Sequence, residues 1–152
     1  MVDVSDKPPT LRSATARGRV LMNQETFDLV RHDKIKKGNV LAVAQVAGIQ
    51  GAKNCSQMIP LCHPLHLTKV SINFRLVDCV SSNNSLCCAI DIESTVKCKG
   101  ETGVEMEALS AVSVAALTIF DMCKAASKTM CIGDVCVVEK SGGKSGHWKA
   151  DQ

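Results

Sequence analysis

The stretch Thr102–Ala125, TGVEMEALSAVSVAALTIFDMCKA, decides how the rest of the chain is arranged. Thr102-Gly-Val-Glu105 has the form of a capping box. In such a box the Thr102 hydroxyl accepts from the Glu105 amide, while the Glu105 carboxylate accepts from the Thr102 amide. The residues that follow are apolar or small on nearly every side of a helix, from Met106, Ala108 and Leu109 through Val112, Val114 and Ala116 to Ile119, Phe120 and Met122. A helix apolar all round is expected to be buried all round. It would run roughly 35 Å, enough to cross a small domain. Glu107, Asp121 and Lys124 interrupt it and argue against a bilayer span. Charge on an apolar helix is costly unless paired or used, so this helix is the first place to look for chemistry.

The 152 residues suit one domain with a proper core, and 45% apolar content with no apolar run of membrane length suits a soluble globular protein. No basic-then-apolar leader opens the sequence. Nine cysteines, an odd count without short paired spacing, predict reduced thiols in an intracellular protein. A net charge of +3 and 3% aromatics offer little to nucleic acid, and no membrane partner is expected. A local cationic pocket for a phosphorylated small molecule is compatible with these figures.

Residues 1–17 are polar, contain Pro8-Pro9 and show no period, which predicts a flexible arm ahead of a single domain over 18–146, with 147–152 a flexible tail. Arg19–Met22 predicts a short strand. Asn23 then caps a helix with Phe27, Val30 and Ile35 on one face. Asn39–Gln57 predicts a second helix, in which Gly48 and Gly51 lower helix propensity but suit close packing against another backbone. Pro60 and Pro64 stiffen the loop that presents Cys62 and His63. Val70, Ile72, Phe74 and Leu76 alternate with polar residues, as do Cys88, Ile90, Ile92 and Val96, a hairpin around an Asp78–Ser85 loop. Gly133 leads into a last strand holding Val135, Val137 and Val138. The order strand, helix pair, strand, strand, helix, strand predicts an α+β domain. Its form is the ferredoxin-like split β-α-β, an antiparallel sheet with helices packed on one face.

Asp121 and Lys124 are spaced i,i+3, which suits a plain helix-end ion pair. The apolar turns before them predict instead that Asp121 starts near the interior, where carboxylate and ammonium make a general acid/base pair. Glu105 is occupied by the cap, whereas Glu107 is free for a ligand. Cys62-His63-Pro64-Leu65-His66 offers neighbouring Cys and His, but no C-x-x-C pair completes four ligands, so no metal site is predicted. His63 suits a ligand contact or proton carrier as well as a turn. Ser141-Gly-Gly-Lys144-Ser-Gly lacks the full phosphate-loop spacing and a following helix. Beside Lys140 and Lys144 it suits either an anion-binding nest or a flexible tail. Lys37, Lys53 and Lys69, taken singly, suit solvated surface lysines.

Taken together, MVDVSDK at the start, KGNVLAVAQVAGIQGAK, IPLCHPL, KGETGVEMEALSAVSVAALTIFDMCKA and the closing KSGGKSG resemble the MoaC family, the cyclic pyranopterin monophosphate synthases of molybdenum cofactor biosynthesis. The resemblance covers almost the whole chain, with only the Asp78–Ser85 loop and the last residues outside it. It implies a ferredoxin-like fold, a homo-oligomer (a hexamer of dimers) and a pyrophosphate-releasing lyase. The implied substrate is 3′,8-cyclo-7,8-dihydro-GTP, made from GTP by a partner radical-SAM enzyme. The resemblance also implies catalytic roles for Asp121 and Lys124. Substrate-binding roles fall on Leu61, Cys62, His63, Met106, Glu107, Lys37 and Lys53, with Lys140 and Lys144 in the closing motif. No cofactor is required, Mg²⁺ at most accompanying the triphosphate. The expected location is the cytoplasm or, for an animal chain, the mitochondrial matrix.

Two departures stand out. Glu101 occupies a place where many family chains carry a basic residue, and family chains usually begin upstream of Met-Val-Asp-Val. The second leaves open that Met1 is internal to a longer chain, such as the fused radical-SAM and MoaC chain of animals. A non-catalytic nucleotide- or phosphate-binding oligomeric module is the alternative that the same lysines and glycines allow. Glu107 and Asp121 are 14 positions apart, roughly 21 Å along one helix, so placing both on one substrate predicts a site shared between subunits.

Overall fold

The computed structural model describes residues 1–79 and 86–151. Strand β1 (Thr10–Met22) lies mid-sheet, bonded to β3 (Cys88–Gly100) on one side and to β4 (Cys131–Ser141) on the other, both antiparallel. Ala14, Ala16, Gly18, Val20 and Met22 alternate along it as buried residues, with Ser13, Thr15, Arg17 and Arg19 between them. Residues 10–17 are therefore not the flexible arm that their polar composition predicts. Small residues carry the period of two here because a helix lies directly on them, leaving no room for the branched side chains that usually mark a strand. The tail is also partly ordered, since β5 (Trp148–Lys149) pairs with Glu139 and Lys140 of β4.

Strand β2 (Leu67–Val77) pairs antiparallel with β3 as their alternation predicts, while residues 80–85 of the expected loop lie outside the described residues. The register sets Val77 opposite Ala89, and its continuation brings Cys79 opposite Cys87. The two are joined by a disulfide, with Cα atoms 4.8 Å apart. The expectation of reduced thiols throughout fails for this pair, and the other seven cysteines are free.

Asn23 caps α1 (Gln24–Arg31) by accepting from the Thr26 amide, and Phe27, Val30 and Ile35 are buried as predicted. The helix expected over Asn39–Gln57 divides at Asn54 into α2 (Val40–Lys53), capped by Asn39, and the short α3 (Cys55–Met58). The long helix α4 (Glu105–Cys123) starts three residues later than predicted, and the capping box does not form. Val104 precedes the helix without a side-chain cap, and Glu105 instead pairs with Lys140 at 3.1 Å.

The inner residues of α4, among them Ala108, Ala111, Val112, Ala115 and Ile119, are fully buried, but Leu117 is 61% exposed, so the helix is not covered all round. By length and hydropathy α4 could cross a membrane, contrary to the expectation that no such run exists. It packs instead against β1, β3, β4 and α2, and its inner residues belong to the hydrophobic core. The sheet order β2-β3-β1-β4, with β5 added at the edge, is that of a ferredoxin-like split β-α-β.

Helices α2 and α4 meet through their backbones. A Cβ on Gly48 would run into Ile72 Cδ1 and stand 2.8 Å from the Ala111 carbonyl oxygen; one on Gly51 would stand 2.8 Å from Val114 Cβ. The glycines that weaken α2 by propensity are what let it lie against α4. Gly48→Ala is therefore expected to destabilise the protein by about 1–3 kcal/mol despite alanine's better helix propensity. Urea unfolding midpoints of the two proteins check this, and an unchanged or raised midpoint would show that the helices separate without cost.

Candidate functional site

Two sets of side chains gather at opposite ends of α4. At its C-terminal end the Asp121 carboxylate lies between two ammonium groups, with Lys37 Nζ 2.6 Å from one oxygen and Lys124 Nζ 2.7 Å from the other. Lys37 also donates to the Asp121 main-chain carbonyl at 2.9 Å, satisfying one of the carbonyls that a helix end leaves open. Lys37 comes from the turn between α1 and α2. There Gly38 takes a φ of +101°, which a side chain would disfavour, and Asn39 then starts α2. Hydrogen bonds from Lys124 first and Lys37 second pull the Asp121 carboxyl down to about 2.

Asp121 is not interior, since its side chain is 55% exposed. The buried face of α4 ends in Ile119, Met122 and Cys123, and helical geometry turns Asp121 away from it. A carboxylate held this low is a weak base, but any anion that draws the lysines away would return its basicity.

At the N-terminal end Glu107 is 4% exposed, and burial pushes its carboxyl above the ordinary value of 4.5. It lies beside the thiols of Cys55 and Cys98. Burial lifts the Cys55 thiol to about 11; it accepts from the Ser110 hydroxyl at 3.4 Å and lies against Cys62. Met106 and Leu61 are exposed nearby in sequence, at 37% and 70%. His63 Nε2 donates to the Val2 carbonyl at 2.8 Å, tying the N-terminal segment to the loop that holds Cys62. Lys140 reaches this end through Glu105. Lys53, at the end of α2, and Lys144, in the turn after β4, are exposed.

The structure thus joins Lys37 to Asp121 and Lys124, and Cys62 to Glu107 through Cys55. Within one chain it does not join the two sets. Sequence reasoning missed Cys55 and Arg12. Arg12 donates to the carbonyls of Gly100 and Glu101 at 3.0 and 2.9 Å, and Gly143 lies against its guanidinium. One side chain therefore ties the turn before α4 to the glycine loop after β4. The available signal was the row Ala14, Ala16, Gly18, Val20, which Arg12 extends by one step.

A groove of about 660 Å³ opens elsewhere, lined by Arg17, Arg19, Arg75, Asp91 and Glu93. Its charges pair with one another, and it holds none of the residues named for the site.

Glu107 supplies a pH test. Because its folded pKa is raised, the unfolded chain releases this proton first as pH rises. The folded state is favoured fully below the ordinary pKa and loses that advantage as pH climbs toward the folded one. Glu107→Gln, neutral throughout, is expected to melt higher than the wild type at about pH 7.5 and with it at about pH 4. Melting curves across that range check this; a gap independent of pH would show that ionisation is not its cause.

The MoaC family model matches residues 1–143. A cyclic pyranopterin monophosphate synthase of Heliobacterium modesticaldum is 59% identical over 148 residues, covering 97% of this chain and 89% of that protein. Proteins of the same name from Desulfitobacterium hafniense and Parvibaculum lavamentivorans are 57% and 51% identical, covering 97% and 99% of this chain and 86% and 89% of theirs. The match takes in both ends of α4 and every element but β5, and the chain belongs to the MoaC family.

Proposed function

We propose that this chain is a cyclic pyranopterin monophosphate synthase of molybdenum cofactor biosynthesis, converting 3′,8-cyclo-7,8-dihydro-GTP to cyclic pyranopterin monophosphate with release of pyrophosphate. The observation that carries this is the Asp121 carboxylate held between Lys37 and Lys124, in a chain 59% identical over nearly its full length to a protein of that name. Loss of pyrophosphate builds negative charge that cations must meet, and rearrangement of the purine-derived ring needs groups that give and take protons. Lys37 and Lys124 supply the charge. As substrate oxygens draw an ammonium away, Asp121 loses a donor and gains basicity, which makes it the proton acceptor. Glu107, held toward its protonated form, is the complementary donor. Leu61, Cys62, His63 and Met106 are the further substrate contacts, with Lys53, Lys140 and Lys144 as phosphate contacts.

One chain holds the two sets at opposite ends of α4, so the proposal includes a homo-oligomer, a hexamer of dimers, in which the Asp121 end of one subunit meets the Glu107 end of another. The substrate is supplied by a radical-SAM enzyme acting on GTP. No resident cofactor is part of the proposal, and Mg²⁺ enters only with the triphosphate. A reducing compartment, the cytoplasm or mitochondrial matrix, is part of the proposal; the seven free cysteines support it and the Cys79–Cys87 disulfide speaks against it.

Incubation with cyclised dihydro-GTP is expected to release pyrophosphate. Binding without release would instead mark a non-catalytic nucleotide-binding module. Asp121→Asn, at an exposed position, is expected to keep the wild-type melting temperature and to lose about 10²- to 10⁴-fold in turnover. Near-normal product formation by this variant would remove Asp121 from the chemistry.

The shared site has its own test. Glu107→Ala and Asp121→Asn proteins are each expected to be inactive, and a mixture that has exchanged subunits is expected to recover activity. No recovery after exchange, shown by mass labelling of the subunits, would place the whole site within one chain.

A further inference from the structure

Cys79 and Cys87 are bonded across the β2–β3 hairpin, and a third sulfur lies against them. Cys88 Sγ is 2.7 Å from Cys79 Sγ, and all three sulfurs fall within 4.8 Å of one another. None of the three takes part in the reaction proposed above. A disulfide sulfur has no proton, so in this contact Cys88 is the only thiol. Its single proton has an acceptor in the Gln24 amide oxygen, 3.2 Å away at the start of α1. That leaves the lone pairs of Cys88 sulfur for the Cys79 side. Cys88 is fully buried, whereas Cys79 and Cys87 are half-buried.

We propose that Cys79, Cys87 and Cys88 form an intramolecular thiol–disulfide exchange site, in which Cys88 takes over the bond to Cys79 and frees Cys87. Cys88 first gives up its proton, the equivalent of the one that Cys87 takes up at the end of the step. The thiolate attacks Cys79 Sγ, and the Cys79–Cys88 bond forms as the Cys79–Cys87 bond breaks. Cys87 leaves as a thiolate and takes up a proton. One disulfide and one thiol enter the step and one of each leaves it, so no oxidant or reductant is consumed. Burial pushes the Cys88 thiol up and so keeps the thiolate scarce, which makes the exchange slow.

The exchange moves the free thiol from a buried position to a half-buried one. Cys87 thereby becomes a modification site open to small electrophiles and to disulfides of low-molecular-weight thiols. It also removes the Cys88 hydrogen from Gln24 at the start of α1. The other end of that helix stays tied to the hairpin through Arg31 and Asp78, 2.5 Å apart.

To test this, the full chain is oxidised in a glutathione buffer, treated in its native state with N-ethylmaleimide, quenched with acid and digested. Fragmentation between residues 87 and 88 in the mass spectrometer shows which cysteine carries the label and which is bonded to Cys79. The wild type is expected to accumulate label on Cys87 together with a Cys79–Cys88 bond. Cys88→Ser is expected to lose the Cys87 label, and Cys87→Ser to form the Cys79–Cys88 bond in the same buffer. The proposal is overturned if the wild type keeps Cys79–Cys87 as its sole bond without labelling at Cys87, or if none of the three becomes oxidised. It is overturned equally if Cys88→Ser labels Cys87 as readily as the wild type, or if Cys87→Ser leaves Cys79 and Cys88 unbonded.

Discussion

A Cβ on Gly18 would stand 2.7 Å from Val112 Cγ1, and Cβ atoms on Gly48 and Gly51 would meet Ile72 and Val114, so α4 lies against β1 and α2 with no room for a further methyl group. This close approach explains the composition of three elements at once. Strand β1 must offer Ala14, Ala16 and Gly18, helix α2 must offer glycine where it meets α4, and α4 answers with Ala108, Ala111 and Ala115. Each small residue gives up hydrophobic area, and the shortened distance returns part of it as dispersion contact at interior density. A helix fixed this tightly also fixes its ends. Lys37 can meet Asp121, and Glu107 can be buried beside Cys55, only while α4 holds its position between sheet and α2.

The two ends give one helix two opposed carboxyl environments. Glu107 sits in the first turn, where the helix dipole favours ionisation by about 0.3–1 kcal/mol. Burial opposes and outweighs it, and the carboxyl moves up. Asp121 sits in the last turn, where the dipole disfavours a negative charge, yet two ammonium groups in direct contact outweigh it and the carboxyl moves down. Burial and cation contact thus drive the two carboxyls of one helix in opposite directions, the basis of the acid and base roles proposed for them.

The parts of the fold that the sequence shows plainly are those carried by bulky alternating residues. Val70 to Leu76 and Cys88 to Val96 announce β2 and β3, and Asn23 and Asn39 announce the starts of α1 and α2. Arg19–Met22 announces only the end of β1; its first half stays hidden because its buried row begins with alanines and a glycine, which weigh little in any strand preference. The apparent capping box fails for a different reason: its glutamate has a partner in Lys140, 35 positions away, that no local pattern reveals. The same distance problem governs the site. The Asp121–Lys124 spacing is legible on the helix itself, whereas Lys37 reaches Asp121 across 84 positions and is singled out only by the family resemblance. Exposure was harder still, since Asp121 and Glu107 interrupt similar apolar runs and differ only in which side of α4 faces the core.

The outer side of α4 leaves apolar side chains exposed. Met106, Leu117 and Asp121 are the exposed residues of this helix, Lys124 is exposed in the turn that ends it, and Val43 and Val46 are exposed on α2. Covering what remains exposed of Leu117, Val43 and Val46 would contribute about 1 kcal/mol each. A second copy laid antiparallel across this layer would cover them. It would also set the partner's Met106 turn, with Glu107 next to it, beside Asp121, because Met106 and Asp121 occupy the two ends of one exposed stripe. The apolar residues that leave α4 incompletely buried and the separation of the two half-sites along it thus have one physical remedy. A single two-fold contact of the kind proposed above would answer both.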